Sequence, residues 1–250
     1  MIERKLGLKK GKGIFLAYDH GLEHGPRDMV GLAHDPHYIA TLAYKGGVNA
    51  VIMQYGTAKR VNPFLKEKRI NLILKINGKT LLTKEKYIAG LTAQVEDAVK
   101  LGAKAIGYTI YFGSPYEHLM IETFSSLRKK AEHYGLGVVL WSYVRAPHIK
   151  DEQKKEYVGY AVRAGYELGA DIVKVKYTGS MKTFKEALSY TPHGNGFYVY
   201  VAGGSKSSRF LKDVKDMREA GASGLAVGRN VWMRENALEV LKEIKKVFEL

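Results

Sequence analysis

Two lysines occupy a segment that reads as a core strand: Asp171-Ile172-Val173-Lys174-Val175-Lys176. Leu168-Gly169-Ala170 before it reads as a helix stop, and the β-branched residues read as a buried strand. Side chains alternate along a strand, so Val173 and Val175 share one face and Lys174 and Lys176 share the other. A buried amine is expensive unless it is paired or put to use. The chemistry worth expecting is a neutral, nucleophilic amine that forms a Schiff base with a carbonyl substrate. Burial and a nearby ammonium both lower a lysine pKa, and on one face Lys174 and Lys176 would supply each other's like charge. Lys174, deeper in the strand, is the candidate nucleophile. Lys176, nearer the rim, is the candidate phosphate contact. A structural ion pair with Asp19 is the bland alternative.

Other reactive types sit where predicted strands end. The first strand runs into Tyr18-Asp19-His20-Gly21-Leu22-Glu23-His24-Gly25. Asp19 could relay protons or balance a cation. His20 and His24 are four apart, a metal-like spacing, but the intervening glycines oppose the helix that would place both on one face, so no metal is expected. In Val139-Leu140-Trp141-Ser142-Tyr143-Val144-Arg145, alternation places Trp141, Tyr143 and Arg145 together. Tyr143 could exchange protons and Arg145 could bind phosphate, although aromatic core packing would also explain the set. Val201-Ala202-Gly203-Gly204-Ser205-Lys206 and Ala226-Val227-Gly228-Arg229-Asn230 are glycine turns, each with a cation, of the kind that cradle phosphate with backbone N–H groups.

The elements that would position these residues recur. Eight short apolar runs read as strands: Ile14–Tyr18, Ala50–Gln54, Asn71–Ile76, Ala105–Ile110, Val138–Tyr143, Asp171–Lys176, Phe197–Ala202 and Gly224–Val227. Helical spacing appears over Pro36–Tyr44, Thr92–Leu101, Pro115–Tyr134, Asp151–Leu168, Ser207–Ala220 and Glu235–Phe248. The phrases Leu101-Gly102-Ala103, Leu168-Gly169-Ala170 and Ala220-Gly221-Ala222 mark one repeated unit, a helix stop followed by strand entry. Alternating strands and helices imply βαβ units and a parallel sheet. Eight such units in 250 residues predict a single-domain (β/α)8 TIM barrel over residues 1–250, with an open doubly wound sheet as the alternative. Arg60–Lys68 has a poor pattern and is read as a loop. Gly78–Ile88 is read as an extra hairpin.

The net charge of +15 fits an anionic partner or a lysine-rich solvated surface. No RNA-binding or zinc-finger motif accompanies the lysines, and no nucleic-acid partner is expected. With no cysteine, disulfides, thiolate metal sites and cysteine nucleophiles are excluded. No apolar run approaches the roughly 18 residues of a membrane span, and the basic start of the chain lacks a signal-peptide apolar region. A cytoplasmic protein without a membrane partner is the expectation.

Taken together, the motifs resemble the archaeal-type class I fructose-1,6-bisphosphate aldolases, within the DhnA-type and DeoC/LacD-like aldolases. Leu16-Ala17-Tyr18-Asp19-His20-Gly21-Leu22-Glu23-His24-Gly25-Pro26, Gly107-Tyr108-Thr109-Ile110-Tyr111, Trp141-Ser142-Tyr143, Lys174-Val175-Lys176-Tyr177-Thr178-Gly179 and Val227-Gly228-Arg229-Asn230-Val231-Trp232 carry the resemblance, in the family's order. It implies a (β/α)8 barrel, no metal and no cofactor beyond the covalent Schiff base. It implies Lys174 as the Schiff-base lysine, Tyr143 as proton donor and acceptor, Asp19 as the active-site carboxylate and Trp141 as a lining residue. Backbone groups at Ala202, Gly203, Gly204, Gly228 and Arg229 would hold the ketose-end phosphate of a phosphorylated sugar. Arg145, Lys176, His20, His24 and Gln54 match substrate-contacting positions. Val144 stands where the family carries proline, and Ala202 where serine is common. Family members form ring-based assemblies, often decamers, which implies a homo-oligomer. A related Schiff-base aldolase or transaldolase-like synthase, of the 2-amino-3,7-dideoxy-D-threo-hept-6-ulosonate type, is the alternative activity.

Overall fold

The computed structural model describes residues 2–250. Its strands are β1 (Gly13–Tyr18), β2 (Ala50–Gln54), β3 (Leu72–Lys75), β4 (Asn77–Gly78), β5 (Gly90–Leu91), β6 (Ala105–Phe112), β7 (Gly137–Val144), β8 (Ile172–Val175), β9 (Tyr198–Ala202) and β10 (Gly224–Val227). Eight of them close a parallel barrel in the order β1-β10-β9-β8-β7-β6-β3-β2, and β4 pairs antiparallel with β5 outside it. Chain order therefore runs sequentially around the barrel, as repeated right-handed βαβ units require.

Strand alternation separates two apolar cores. Val51, Ile106, Leu140, Val173, Val199 and Leu225 face the helices. Phe15, Ile52, Ile73, Val139, Ile172 and Tyr200 fill the barrel. Tyr200 stacks on Phe15 with ring centroids 4.4 Å apart. A Cβ on Gly224 would stand 2.3 Å from the Tyr200 ring, so a glycine there is what lets the floor hold so large a ring. The inward parity fixed by Ile73, Val139 and Ile172 carries upward to Lys75, to Trp141 and Tyr143, and to Lys174.

Several elements differ from expectation. Arg60–Lys68 is no loop: a helix spans Tyr55–Glu67 with Pro63 inside it. Ala58, Val61 and Leu65 are buried at helical spacing, while Pro63 lies on the exposed side, where a lost backbone bond can be met by water. Gly78–Ile88 is mostly the loop of a hairpin whose stem is Asn77–Gly78 against Gly90–Leu91. A helix at Met181–Ser189 was not foreseen; Ser180 caps it by accepting from the Thr183 N–H. Strand β8 ends at Val175, one residue before Lys176. A short helix does form over His20–His24 despite its glycine. No helix among the described residues is long and apolar enough to cross a membrane.

Candidate active site

A cleft of about 440 Å³ opens at the C-terminal ends of the barrel strands. All but one of the sequence candidates line it. Asp19, His20 and His24 come from the end of β1, and Trp141, Tyr143 and Arg145 from β7. Lys174 and Lys176 come from β8 and the residues after it. Ala202, Gly203, Gly204, Gly228 and Arg229 come from the ends of β9 and β10. Gln54 is the exception. It donates to the Asn77 carbonyl, accepts from Thr92 Oγ1, and faces a neighbouring cleft beyond β1.

Lys174 is buried on the inner face, with its Nζ 4.8 Å from the centroid of the Trp141 ring. No hydrogen bond or ion pair ties that amine to another described side chain. Burial lowers its pKa; Asp19 and Glu23 oppose the shift and Arg229 adds to it. Lys176 behaves differently. It lies beyond β8 and its Nζ is 2.5 Å from Glu152 Oε2. It is therefore not the like charge acting on Lys174 that the strand reading supplied.

Glu152, unremarked in the sequence, also clamps Arg145. Arg145 Nε and Nη2 donate to its two carboxylate oxygens at 2.7 and 2.9 Å. The guanidinium lies 5.1 Å from the Tyr111 ring and 5.8 Å from the Tyr143 ring, so the clamp fixes the wall beside Tyr143. Burial, with Asp19 nearby, holds the Tyr143 phenol well above its ordinary pKa. At neutral pH it carries its proton and can give it.

Burial pushes the Asp19 carboxyl up, but Lys174, Lys75 and its own backbone outweigh this and hold it below the usual carboxylate range. Burial takes His20 down to about 4, so its ring is neutral at neutral pH. The His20 and His24 rings sit 5.6 Å apart on the short helix. No third His, Asp or Glu among the described residues completes a metal-holding group with them.

On the far wall Asn230, buried and polar, donates to the carbonyls of Gly203 and Ser205 at 2.7 and 2.6 Å and accepts from the Ser207 N–H at 2.9 Å. The N–H groups of Gly204 and Ser205 between them bond to no acceptor among the described residues. The Gly203 N–H itself is bonded to the Ala226 carbonyl and cannot serve a ligand. Arg229 is anchored to Asp28 at 3.0 Å.

A family model described as "DeoC/LacD family aldolase" matches residues 14–234. This chain belongs to the DeoC/LacD aldolase family. The class 1 fructose-bisphosphate aldolase of Thermoproteus tenax is 42% identical over 244 residues, covering 96% of this chain and 90% of that protein. Its counterpart in Halobacterium salinarum is 40% identical over 243 residues, covering 96% and 91%. Among solved structures, an archaeal fructose-1,6-bisphosphate aldolase with its catalytic lysine covalently bound to the carbinolamine intermediate superposes with a TM-score of 0.91 at 40% identity, covering 99% of each chain.

The aldolase cleft also involves residues that the sequence reading passed over: Glu23, Tyr111 and Asn230 line it, Glu152 holds its Arg145 and Lys176 from behind, and Lys75 and Gly107 lie against its Trp141. The signal for Lys75 was available. It falls inside a predicted strand, two residues after Ile73, the pattern that singled out Lys174.

Proposed function

We propose that this aldolase is a class I fructose-1,6-bisphosphate aldolase, with Lys174 as the Schiff-base nucleophile and a phosphorylated sugar as its substrate. The observation that carries the reading is an untied, buried amine at the barrel's top, beside an ionised carboxylate and a protonated phenol. The likeness to archaeal fructose-bisphosphate aldolases over nearly the whole chain supports the choice of substrate.

The neutral Lys174 amine adds to the C2 carbonyl, giving a carbinolamine. The Tyr143 phenol protonates the departing hydroxyl, water leaves, and an iminium forms with the Asp19 carboxylate as its countercharge. The Tyr143 phenolate then takes the C4 hydroxyl proton. The C3–C4 bond breaks, its electron pair enters the iminium as an enamine, and glyceraldehyde 3-phosphate departs. Tyr143 returns the proton to C3. Hydrolysis of the iminium releases dihydroxyacetone phosphate and the free amine. The positive Arg145 guanidinium near the Tyr143 ring favours the phenolate in the intervals when it exists. The iminium is the electron sink, so the scheme calls on no metal or cofactor. The turns after β9 and β10 hold the ketose phosphate so that C2 meets the amine.

Borohydride reduction in the presence of dihydroxyacetone phosphate tests this directly. We expect one reduced adduct, mapped by mass spectrometry to Lys174, and neither adduct nor cleavage in Lys174→Met. An adduct elsewhere, or normal cleavage by Lys174→Met, would remove Lys174 from the role. Turnover of a deoxy-amino sugar acid precursor in place of the bisphosphate would overturn the substrate.

A further inference from the structure

Lys75 is 0% exposed, more deeply buried than Lys174 at 5%, and the scheme above makes no use of it. Taking an ammonium out of water costs several kcal/mol, on the order of what a whole domain has to spare, unless its surroundings solvate it. Here they do. Its Nζ donates to the Asn77 carbonyl at 2.6 Å and to Asn77 Oδ1 at 2.7 Å. Glu23 Oε1 lies 3.8 Å away, and the Trp141 ring centroid 5.3 Å away. Asn77 is itself fixed in both directions, donating to the Thr109 carbonyl and accepting from the Thr109 N–H. The neighbours of Lys75 are acceptors, a carboxylate and an aromatic face, which together make a seat for a cation.

We propose that Lys75 is a positioning residue whose fixed ammonium is the countercharge of Asp19 and Glu23 during the steps in which Lys174 must be uncharged. The inference rests on the Schiff-base reading. Lys174 has to be neutral to attack, and at that moment Asp19 loses the cation that does most to keep it ionised. Other charges face Asp19 and Glu23 from the surrounding elements: His24 acts on Asp19 and Lys79 on Glu23, and burial lowers the pKa of both. His20 is neutral at neutral pH. The phenols of Tyr111 and Tyr143 are held protonated by burial. Arg145 is paired with Glu152, and Arg229 with Asp28. Lys75 differs from both arginines in that its ion pair is with Glu23, which lines the same cleft as Asp19. Without Lys75, Asp19 would take up the proton that Lys174 surrenders, and the iminium would form with no carboxylate to meet it.

The test is Lys75→Met, which keeps the stem and removes the charge, assayed for kcat and kcat/KM from about pH 3 to 9 beside the wild type. Attack needs neutral Lys174, and the steps after it need ionised Asp19, so single-turnover cleavage from the preformed iminium isolates Asp19 and is lost as pH falls through its pKa. Removing Lys75 raises that pKa, so the acid limb should move up by about one unit or more. We expect kcat to fall with KM within a few-fold, because Lys75 is remote from the glycine turns. The chain has no cysteine, so Lys75→Cys, alkylated with bromoethylamine while unfolded and then refolded, rebuilds an ammonium at this position alone. Recovery of the wild-type acid limb on alkylation supports the assignment. If Lys75→Met does not fold, the Cys variant before and after alkylation carries the same comparison. An unmoved acid limb, or a loss of kcat that alkylation does not restore, overturns it. A wild type that forms no borohydride adduct would instead sink the Schiff-base reading, a separate result.

Discussion

Replacing Gly228 by alanine probes the glycine turn after β10 as a phosphate seat. A methyl there would stand 2.7 Å from the Ala17 carbonyl oxygen and 2.5 Å from His20 Cε1. Ordinary contact begins at 3.4 Å, so against Ala17 the turn must retreat by 3.4 − 2.7 = 0.7 Å. Ala17 cannot move instead, because β1 is locked in the barrel and its carbonyl accepts the Trp232 indole N–H at 3.0 Å. The N–H groups of the turn therefore swing away from the cleft. A charge-assisted hydrogen bond to phosphate contributes about 1.5–3 kcal/mol, so losing one should raise KM by about ten- to a hundredfold. Overpacking should also cost about 1–3 kcal/mol of stability. Gly204→Ala is the control. Its φ is +67°, yet no atom lies within 4 Å of the added methyl. It should cost roughly 1–2 kcal/mol of backbone strain without moving the turn, and leave KM within a few-fold. Steady-state kinetics with the bisphosphate, competition by inorganic phosphate and thermal melts separate the two. An unchanged KM in Gly228→Ala with the expected drop in melting temperature would show that this turn does not hold phosphate. A larger KM effect in Gly204→Ala would refute the steric argument.

Two other substitutions follow from the same cleft. Tyr143→Phe should still give the borohydride adduct with dihydroxyacetone phosphate, while cleavage falls by roughly 10²–10⁴; undiminished turnover would remove Tyr143 from proton transfer. Gly107→Ala would place a methyl 2.5 Å from Trp141 Cζ3 and 3.4 Å from Lys75 Cδ. It should destabilise the fold by about 1–3 kcal/mol and slow trapping at Lys174 as the indole is displaced. A trapping rate equal to wild type would show that Trp141 does not set the amine's position.

The barrel was legible because its signals are local and repeated. Val173 and Val175 on one side of β8 and Ile172 and Lys174 on the other state which face is which, and a glycine after most helices states where the next strand begins. The Tyr55–Glu67 helix was obscured by Pro63, since nothing local tells whether a proline will face solvent, where its missing N–H is tolerated. The His20–His24 helix was obscured by Gly21, whose cost is overcome by packing of the His20 ring on Trp232, more than 200 residues away in sequence. Glu152 was invisible for a similar reason. It lies in an irregular loop, and its significance is created by Arg145 and Lys176, which only the closed barrel brings to it.

Charge alone does not mark the nucleophile in this cleft; the partners of each charge do. Lys75, Lys174 and Lys176 all reach the top of the barrel, and in the sequence all three look alike: a lysine at an inward position of a strand. Lys176 is paired with Glu152 near the rim. Lys75 is held by Asn77 and faces Glu23, so its hydrogens are committed. Lys174 has burial and an aromatic face but no hydrogen-bond acceptor among the described residues. Burial disfavours its ammonium. In the proposed scheme, a lysine becomes reactive where the fold withholds from it what it supplies to its two neighbours.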